Sequence, residues 1–200
     1  MAGQTHEVDI GNDDLLPPWS TLFEVVAATD VDQWVLVGGL MVQLHAYRAD
    51  IPPSRTTKDV DMVVDVVTAK AGIQAVAGQL EAIGARHLRR SLGRGHGEPR
   101  APDVIGALIA KGAAYSVDQR DRARHLEDAA LLLASIEAVG KLNLVDLSKN
   151  DRRHLVRVAT MLPDGAPAWR ELENVYRLRG QRQLTRLIEA AALAVPGRPG

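Results

Sequence analysis

Asp59 and Asp61 stand one residue apart in the segment Lys58 to Val67, KDVDMVVDVV. Acidic and apolar residues alternate there with the period of a β-strand, whose side chains point to opposite faces in turn. The alternation predicts one face carrying Asp59, Asp61, Val63 and Asp65, and a core-directed face carrying Val60, Met62, Val64 and Val66. Asp59 and Asp61 are then expected about 6.6 Å apart at the backbone and pointing the same way. Carboxylates so placed repel each other, and a hard divalent cation removes the repulsion. Mg²⁺ suits such a pair because it takes oxygen ligands and phosphate oxygens together. Two ions about 3.5–4 Å apart can clamp the attacking and leaving oxygens of a phosphoryl or nucleotidyl transfer. The plainer alternative is a solvated strand face. Asp has low β-propensity, however, and solvation alone more often uses Thr, Lys or Glu.

A second feature lies upstream. Gln33 to Val37, QWVLV, is a short apolar run that reads as a buried strand, and Gly38-Gly39 ends it. Leu40 to Tyr47 follows with helical character, its apolar residues being Leu40, Val42, Leu44 and Tyr47. A strand, a glycine pair and a helix make an anion site. Free backbone N–H groups at the helix start point outward, and glycines let a phosphate approach closely. A glycine pair alone is more often a tight turn. The order strand, Gly-Gly, helix, loop and then D-x-D is far more specific.

The stretch VLVGGLMVQLHAYRADIPPSRTTKDVDMVV resembles the first motif of the DNA polymerase β-like nucleotidyltransferase superfamily. Within it, the chain is similar to the AbiEii-type and MenT-type toxins of toxin–antitoxin systems. The matching positions are Gly38, Gly39, His45, Arg55, Thr57, Asp59 and Asp61. The resemblance implies Mg²⁺ at Asp59 and Asp61, and nucleotide phosphates at Gly38-Gly39 with Arg55 and Thr57 beside them. Many relatives have Gly-Ser where this chain has Gly-Gly. A loop arginine next to a metal site suits phosphate contact on its own chemistry. His45 is expected to be a hydrogen-bonded helix histidine outside the catalytic set. A second likeness covers APDVIGALIAKGAAYSVDQRDRARHLEDAALLL, where the family returns a Lys and then an Asp to the active site; here these are Lys111 and Asp128. Val104, Leu108, Lys111 and Tyr115 share a helix face, so Lys111 interrupts an inward stripe. Such a Lys could hold a triphosphate, with Asp128 orienting it or the substrate. The alternative is a snorkelling Lys111 and an Asp128 paired with Arg124 on the helix surface.

The superfamily normally supplies a third carboxylate from a later strand. Between the helix expected over 68–83 and the one starting at Pro102 lies ARHLRRSLGRGHGEPRA, a basic loop without an acid-bearing apolar strand. Glu98 and Asp103 are the only acids near, and Asp65 projects from the same strand as the pair. The likeness therefore covers about 30–90 and 102–140, with the part between them compressed. Without a third acid to accept a proton or hold metal, binding could persist while catalysis fails. A shortened sheet would also leave an open edge for a partner to cover.

These elements must be positioned by an α+β fold: a small mixed nucleotidyltransferase-type sheet with helices, followed by a C-terminal helical bundle. Residues 1–18 read as a flexible leader, 19–101 as the nucleotidyltransferase-like core, 102–195 as a helical domain and 196–200 as a disordered tail. Helices are expected over Trp19–Ala28, with Leu22, Phe23, Val25 and Val26 on one face, and over about 102–117, 121–139, 149–161 and 168–193, the last broken near Gly180. The 46% hydrophobic content is enough for a core. The absence of cysteine excludes disulfides, Cys-zinc sites and thiol catalysis. No apolar run approaches the length of a bilayer span, and the first residues lack the pattern of a signal peptide. The expectation is a cytoplasmic protein without membrane contact.

Net charge is −1, unevenly spread: residues 86–125 carry +5 and 167–200 carry +3. Solvated helix faces account for this, and so does a polyanionic partner. The expected function is transfer of a nucleotide from an NTP to an acceptor, with Mg²⁺ as cofactor. By resemblance to the toxins the acceptor is a tRNA and a cognate antitoxin is a partner. The alternatives are a non-catalytic nucleotide- or partner-binding member of the fold, and an antibiotic-type small-molecule nucleotidyltransferase.

Overall fold

The structure is a computed structural model and describes residues 8, 10, 16–30, 34–53, 55–64, 100–193 and 195. The expected helix over 68–83, most of the basic loop, Asp65 and Glu98 lie outside the described residues. The chain is a mixed α+β protein, mostly helical, with a two-stranded antiparallel sheet among those residues. It divides into two compact units, one formed by Met1–Met41 with Thr57–Pro102 and the other by Val42–Thr56 with Asp103–Gly200.

In the first unit, α1 spans Trp19–Ala28 and buries Trp19, Leu22 and Val25, a stripe with three-residue spacing. Phe23, expected on that face, is 46% exposed because the stripe follows 19, 22 and 25 instead. Thr29 ends the helix with its hydroxyl donating to the Val25 carbonyl at 2.6 Å. The same hydroxyl accepts the indole N–H of Trp34 at 2.8 Å, which ties the end of α1 to the first strand.

That strand, β1, is Trp34–Val37, with Trp34 and Leu36 fully buried. It pairs antiparallel with β2, Asp61–Val64, so that Trp34 faces Val64, Leu36 faces Met62 and Val37 faces Asp61. Exposure alternates from Asp59 to Val63, with Asp59, Asp61 and Val63 exposed and Val60 and Met62 half-buried. The regular strand begins only at Asp61, however. Asp59 precedes it in irregular chain, because β1 ends at Val37 and offers no partner beyond Asp61. On its other side β1 is not bare: the Leu36 N–H donates to the Arg100 carbonyl at 2.7 Å.

Helix α2, Gly38–Arg48, follows β1 without a linking turn, and the glycine pair forms its first two residues. Its buried positions include Leu40, Met41, Val42 and Ala46 together with Gln43 and His45, so burial runs well beyond the expected apolar set. Asp50, in the left-handed region at φ 53°, reverses the chain after the helix. The N–H of Ile51 reaches back to the Ala46 carbonyl at 2.9 Å, and Ile51 is buried.

The second unit holds α3 (Val104–Val117), α4 (Arg122–Ser135), α5 (Lys149–Met161) and α6 (Asn174–Ala190). Each start has a local reason. Asp103 caps α3 by accepting the Gly106 N–H at 2.7 Å. Ser148 and Asp151 form a reciprocal capping box at α5. Helix α4 packs against both α3 and α6, and α3 against α5. The second half of α4, Asp128 to Ala134, is therefore buried on every side. The helix expected over 168–193 is divided differently: Pro167–Glu171 is a 3₁₀ turn, and α6 runs unbroken through Gly180. Gly180 is a packing residue rather than a break. A Cβ there would stand 2.8 Å from the ring of buried Trp169 and 3.2 Å from the Ala134 nitrogen.

Alanine favours a helix interior over glycine by about 1 kcal/mol. At this contact the overpacking penalty should prevail, and Gly180→Ala should lower stability by about 1–3 kcal/mol in urea denaturation. An unchanged or higher midpoint would mean that α4 and α6 do not approach as closely as described.

Candidate functional site

Two groups of polar residues are built into the described chain, one in each unit. The first forms where β1 becomes α2. Antiparallel partners show their side chains on the same face, so the register that sets Asp61 opposite Val37 delivers the Asp61 carboxylate to the strand-to-helix junction. Gly38 has φ 72°, a conformation that glycine adopts without strain. It also has no side chain to obstruct the carboxylate: a Cβ on Gly38 would lie 2.7 Å from both Cβ and Cγ of Asp61. The first N–H groups of a helix have no carbonyl of their own helix to bond, and the first turn of α2 carries no acidic residue. A helix start and an acceptor-only carboxylate thus meet at one point.

Asp59 is exposed two residues before Asp61. Between the Arg55 loop and this pair, Thr57 is buried, and its hydroxyl oxygen has no hydrogen-bond partner. A buried hydroxyl in that state is costly by about 1–3 kcal/mol, and a ligand oxygen or water would relieve it. No group of three or more His, Asp or Glu among the described residues could hold a metal ion. Mg²⁺ commonly needs only one or two carboxylates when phosphates and water complete its octahedron. Asp61, beside Gly38, and Asp59, exposed two residues before it, are hard oxygen donors of the kind that set requires.

The second group is a buried ion cluster. Asp128 opens the buried half of α4 and is only 4% exposed. One carboxylate oxygen accepts from Arg55 Nη2 at 2.5 Å, and the other lies 2.7 Å from Lys111 Nζ. The Lys111 contact is charge to charge rather than a well-directed hydrogen bond. Lys111 is buried on α3 among Ala107, Leu108 and Gly112, so its ammonium does not snorkel to the surface. Arg124, the alternative partner for Asp128, makes no ion pair with it. Gln43 of α2 holds the Arg55 backbone, its side-chain amide donating to the Arg55 carbonyl at 3.0 Å.

Two cations on one carboxylate leave the cluster with an excess of one positive charge. Its acidic neighbour, Glu127, has its carboxyl pushed above the ordinary range, by burial first and by Glu171 next, while Arg55 acts in the opposite direction. Such a cluster favours an anion.

The sequence-derived residues therefore fall into two sets. Gly38, Gly39 and Asp61 come together, with Asp59 and Thr57 next to them in the chain; Arg55, Lys111 and Asp128 come together by direct contact. His45 is buried. Gln43 was not foreseen, and only its place on a buried helix face would have marked it. Of the candidates for a third carboxylate, Asp103 is engaged as the cap of α3. No described helix is long and apolar enough to cross a membrane. The chain matches no protein-family model, no curated protein and no solved structure.

The charge arrangement makes the Asp128 and Lys111 variants unequal. Asp128→Asn leaves two cations facing a neutral amide, one of them buried, and should lower stability by about 3 kcal/mol or more. Lys111→Met leaves Asp128 bonded to Arg55 and fills the same space, so its loss should stay below about 1.5 kcal/mol. Equal losses in denaturant titrations would contradict the shared-carboxylate arrangement.

Proposed function

We propose that the chain is a Mg²⁺-dependent nucleotidyltransferase of the AbiEii/MenT toxin type, transferring a nucleotide from an NTP to an RNA acceptor such as tRNA. The observation that carries this reading is the Asp61 carboxylate lying against Gly38 at the start of α2. It supports a site that serves phosphate and metal together, which neither motif supports alone. The sequence resemblance supplies the reaction class, and the cytoplasm and a cognate antitoxin belong to the same reading.

In this reading the α2 N–H groups at Gly38 and Gly39 receive the nucleotide phosphates. Asp59 and Asp61 would hold the metal, which when bound offsets charge on the phosphates. The Thr57 hydroxyl donates to the same ligand set and so gains the partner it lacks. In the second unit Lys111 and Arg55, both fixed by Asp128, offer positive charge of the kind that phosphate oxygens take. Gln43 holds Arg55 through its backbone.

A second reading, a member of the fold that binds nucleotide without turning it over, is favoured by one observation: Asp103 is occupied in capping α3 and does not serve as a third acid. Calorimetric titration with Mg²⁺-NTP, run beside a transfer assay using radiolabelled NTPs and total tRNA, separates the two. The proposal expects labelled RNA from the wild-type chain. Asp59→Asn and Asp61→Asn should each lower labelling by more than about two orders of magnitude, and the folded Lys111→Met protein should lose labelling as well. Binding without labelling would establish the second reading. Labelling unchanged in the aspartate variants would sink the first.

A further inference from the structure

A groove of about 390 Å³ lies in the second unit, lined by the end of α3, the start of α4 and one face of α5. Its polar lining is Tyr115, Ser116, Arg122, Arg153, Arg157 and Thr160. Arg153 and Arg157 are four residues apart on α5 and so share a face, about 6 Å apart along the axis. Like charges at that spacing weaken a helix slightly. None of the three arginines forms an ion pair with a carboxylate among the described residues. Arg157 donates to the Ser116 hydroxyl, Arg153 to the Asn150 side chain at 2.5 Å, and Arg122 to the Asp118 carbonyl at 3.1 Å. Their contacts are neutral acceptors, so the full positive charge remains.

The acid at the rim does not cancel it. The Asp118 carboxylate accepts from the Arg120 and Asp121 N–H groups at 2.8 and 3.3 Å and meets His125 Nε2 at 2.9 Å. These bonds hold its pKa below the ordinary range, the Arg120 N–H first and His125 next. Asp118 thus stays turned to its own loop. The Arg122 guanidinium lies over the Tyr115 ring, 5.6 Å from its centre, so the two present a stacked cation–aromatic pair.

We infer that this groove binds the backbone of single-stranded RNA, with an unpaired base stacked against the Arg122–Tyr115 pair. Guanidiniums without carboxylate partners, beside an arginine-on-tyrosine pair that can stack a base, are the combination in one open groove that tracks phosphodiesters while accepting any base. An acidic peptide would satisfy the charge but leave the ring without a role. The inference rests on the proposed RNA acceptor and extends it to an anchoring surface: Tyr115 stands one helical turn beyond Lys111 on α3.

The test uses the full chain and a fluorescein-labelled unstructured oligoribonucleotide, with anisotropy read over a series of salt concentrations and no NTP present. Arg153→Gln/Arg157→Gln should weaken binding tenfold or more. It should also flatten the log–log salt slope by about 1.4, for two lost phosphate contacts at about 0.7 each. Arg153→Lys/Arg157→Lys should keep the slope, and Tyr115→Leu should weaken binding while leaving it unchanged. All sites but Tyr115 are exposed, and thermal melts check folding. Unchanged affinity in the glutamine variant overturns the inference, as does polyglutamate binding the wild type as tightly as RNA. No RNA binding while Mg²⁺-NTP still binds overturns this surface alone; absence of both removes the nucleotidyltransfer reading with it.

Discussion

The contact between Asp61 and Gly38 is the constraint on which the first group of residues depends. Three separate features have to agree for it to form. The β1–β2 register must set Asp61 opposite Val37. The chain must turn from strand into helix with no intervening loop, which Gly38 permits at φ 72°. Position 38 must also lack a Cβ, because one would collide with the Asp61 side chain. A one-residue slip of β2 would send Asp61 to the opposite face and remove the meeting of carboxylate and helix start. Pairing, helix start and glycine are therefore a single device.

In the other unit the organising fact is the burial of Asp128. Helix α4 is covered by α3 and α6, so a carboxylate at position 128 is shielded from water and is met by a cation at each oxygen. Lys111 comes from α3 and Arg55 from the loop after α2, the latter held by Gln43. Desolvation strengthens these interactions but leaves a surplus positive charge. Replacing such a cluster by apolar residues would often be neutral or stabilising, so stability alone does not account for it.

Much of the fold was legible in the sequence where a period or a cap marks it. Trp19–Ala28 and Lys149–Met161 have the expected bounds, the former from its apolar spacing and the latter between Ser148 and Pro163. The alternation from Asp59 to Val63 survives in the exposure pattern even though the strand proper is shorter. Strand length was not legible because it is set by the partner, and β1 has only four residues. Gly180 reads as a helix break in isolation and becomes a contact point only when Trp169 is packed across it. Lys111 and Asp128, seventeen residues apart, owe their pairing to the packing of α3 on α4; periodicity could place each near a buried face but could not join them. Gln43 carries no sequence signal, since its role is a bond to a backbone carbonyl twelve residues away.

The central claim is that Gly38, Gly39, Asp59 and Asp61 receive metal and phosphate at one place. Paramagnetic broadening of backbone amide resonances by substoichiometric Mn²⁺, with and without a non-hydrolysable NTP, tests it most directly. The account predicts broadening centred on the amides of residues 38–40 and 59–62, sharpened by the nucleotide and lost in Asp61→Asn. Broadening centred elsewhere, or persisting at those amides in the Asp61→Asn protein, would contradict it.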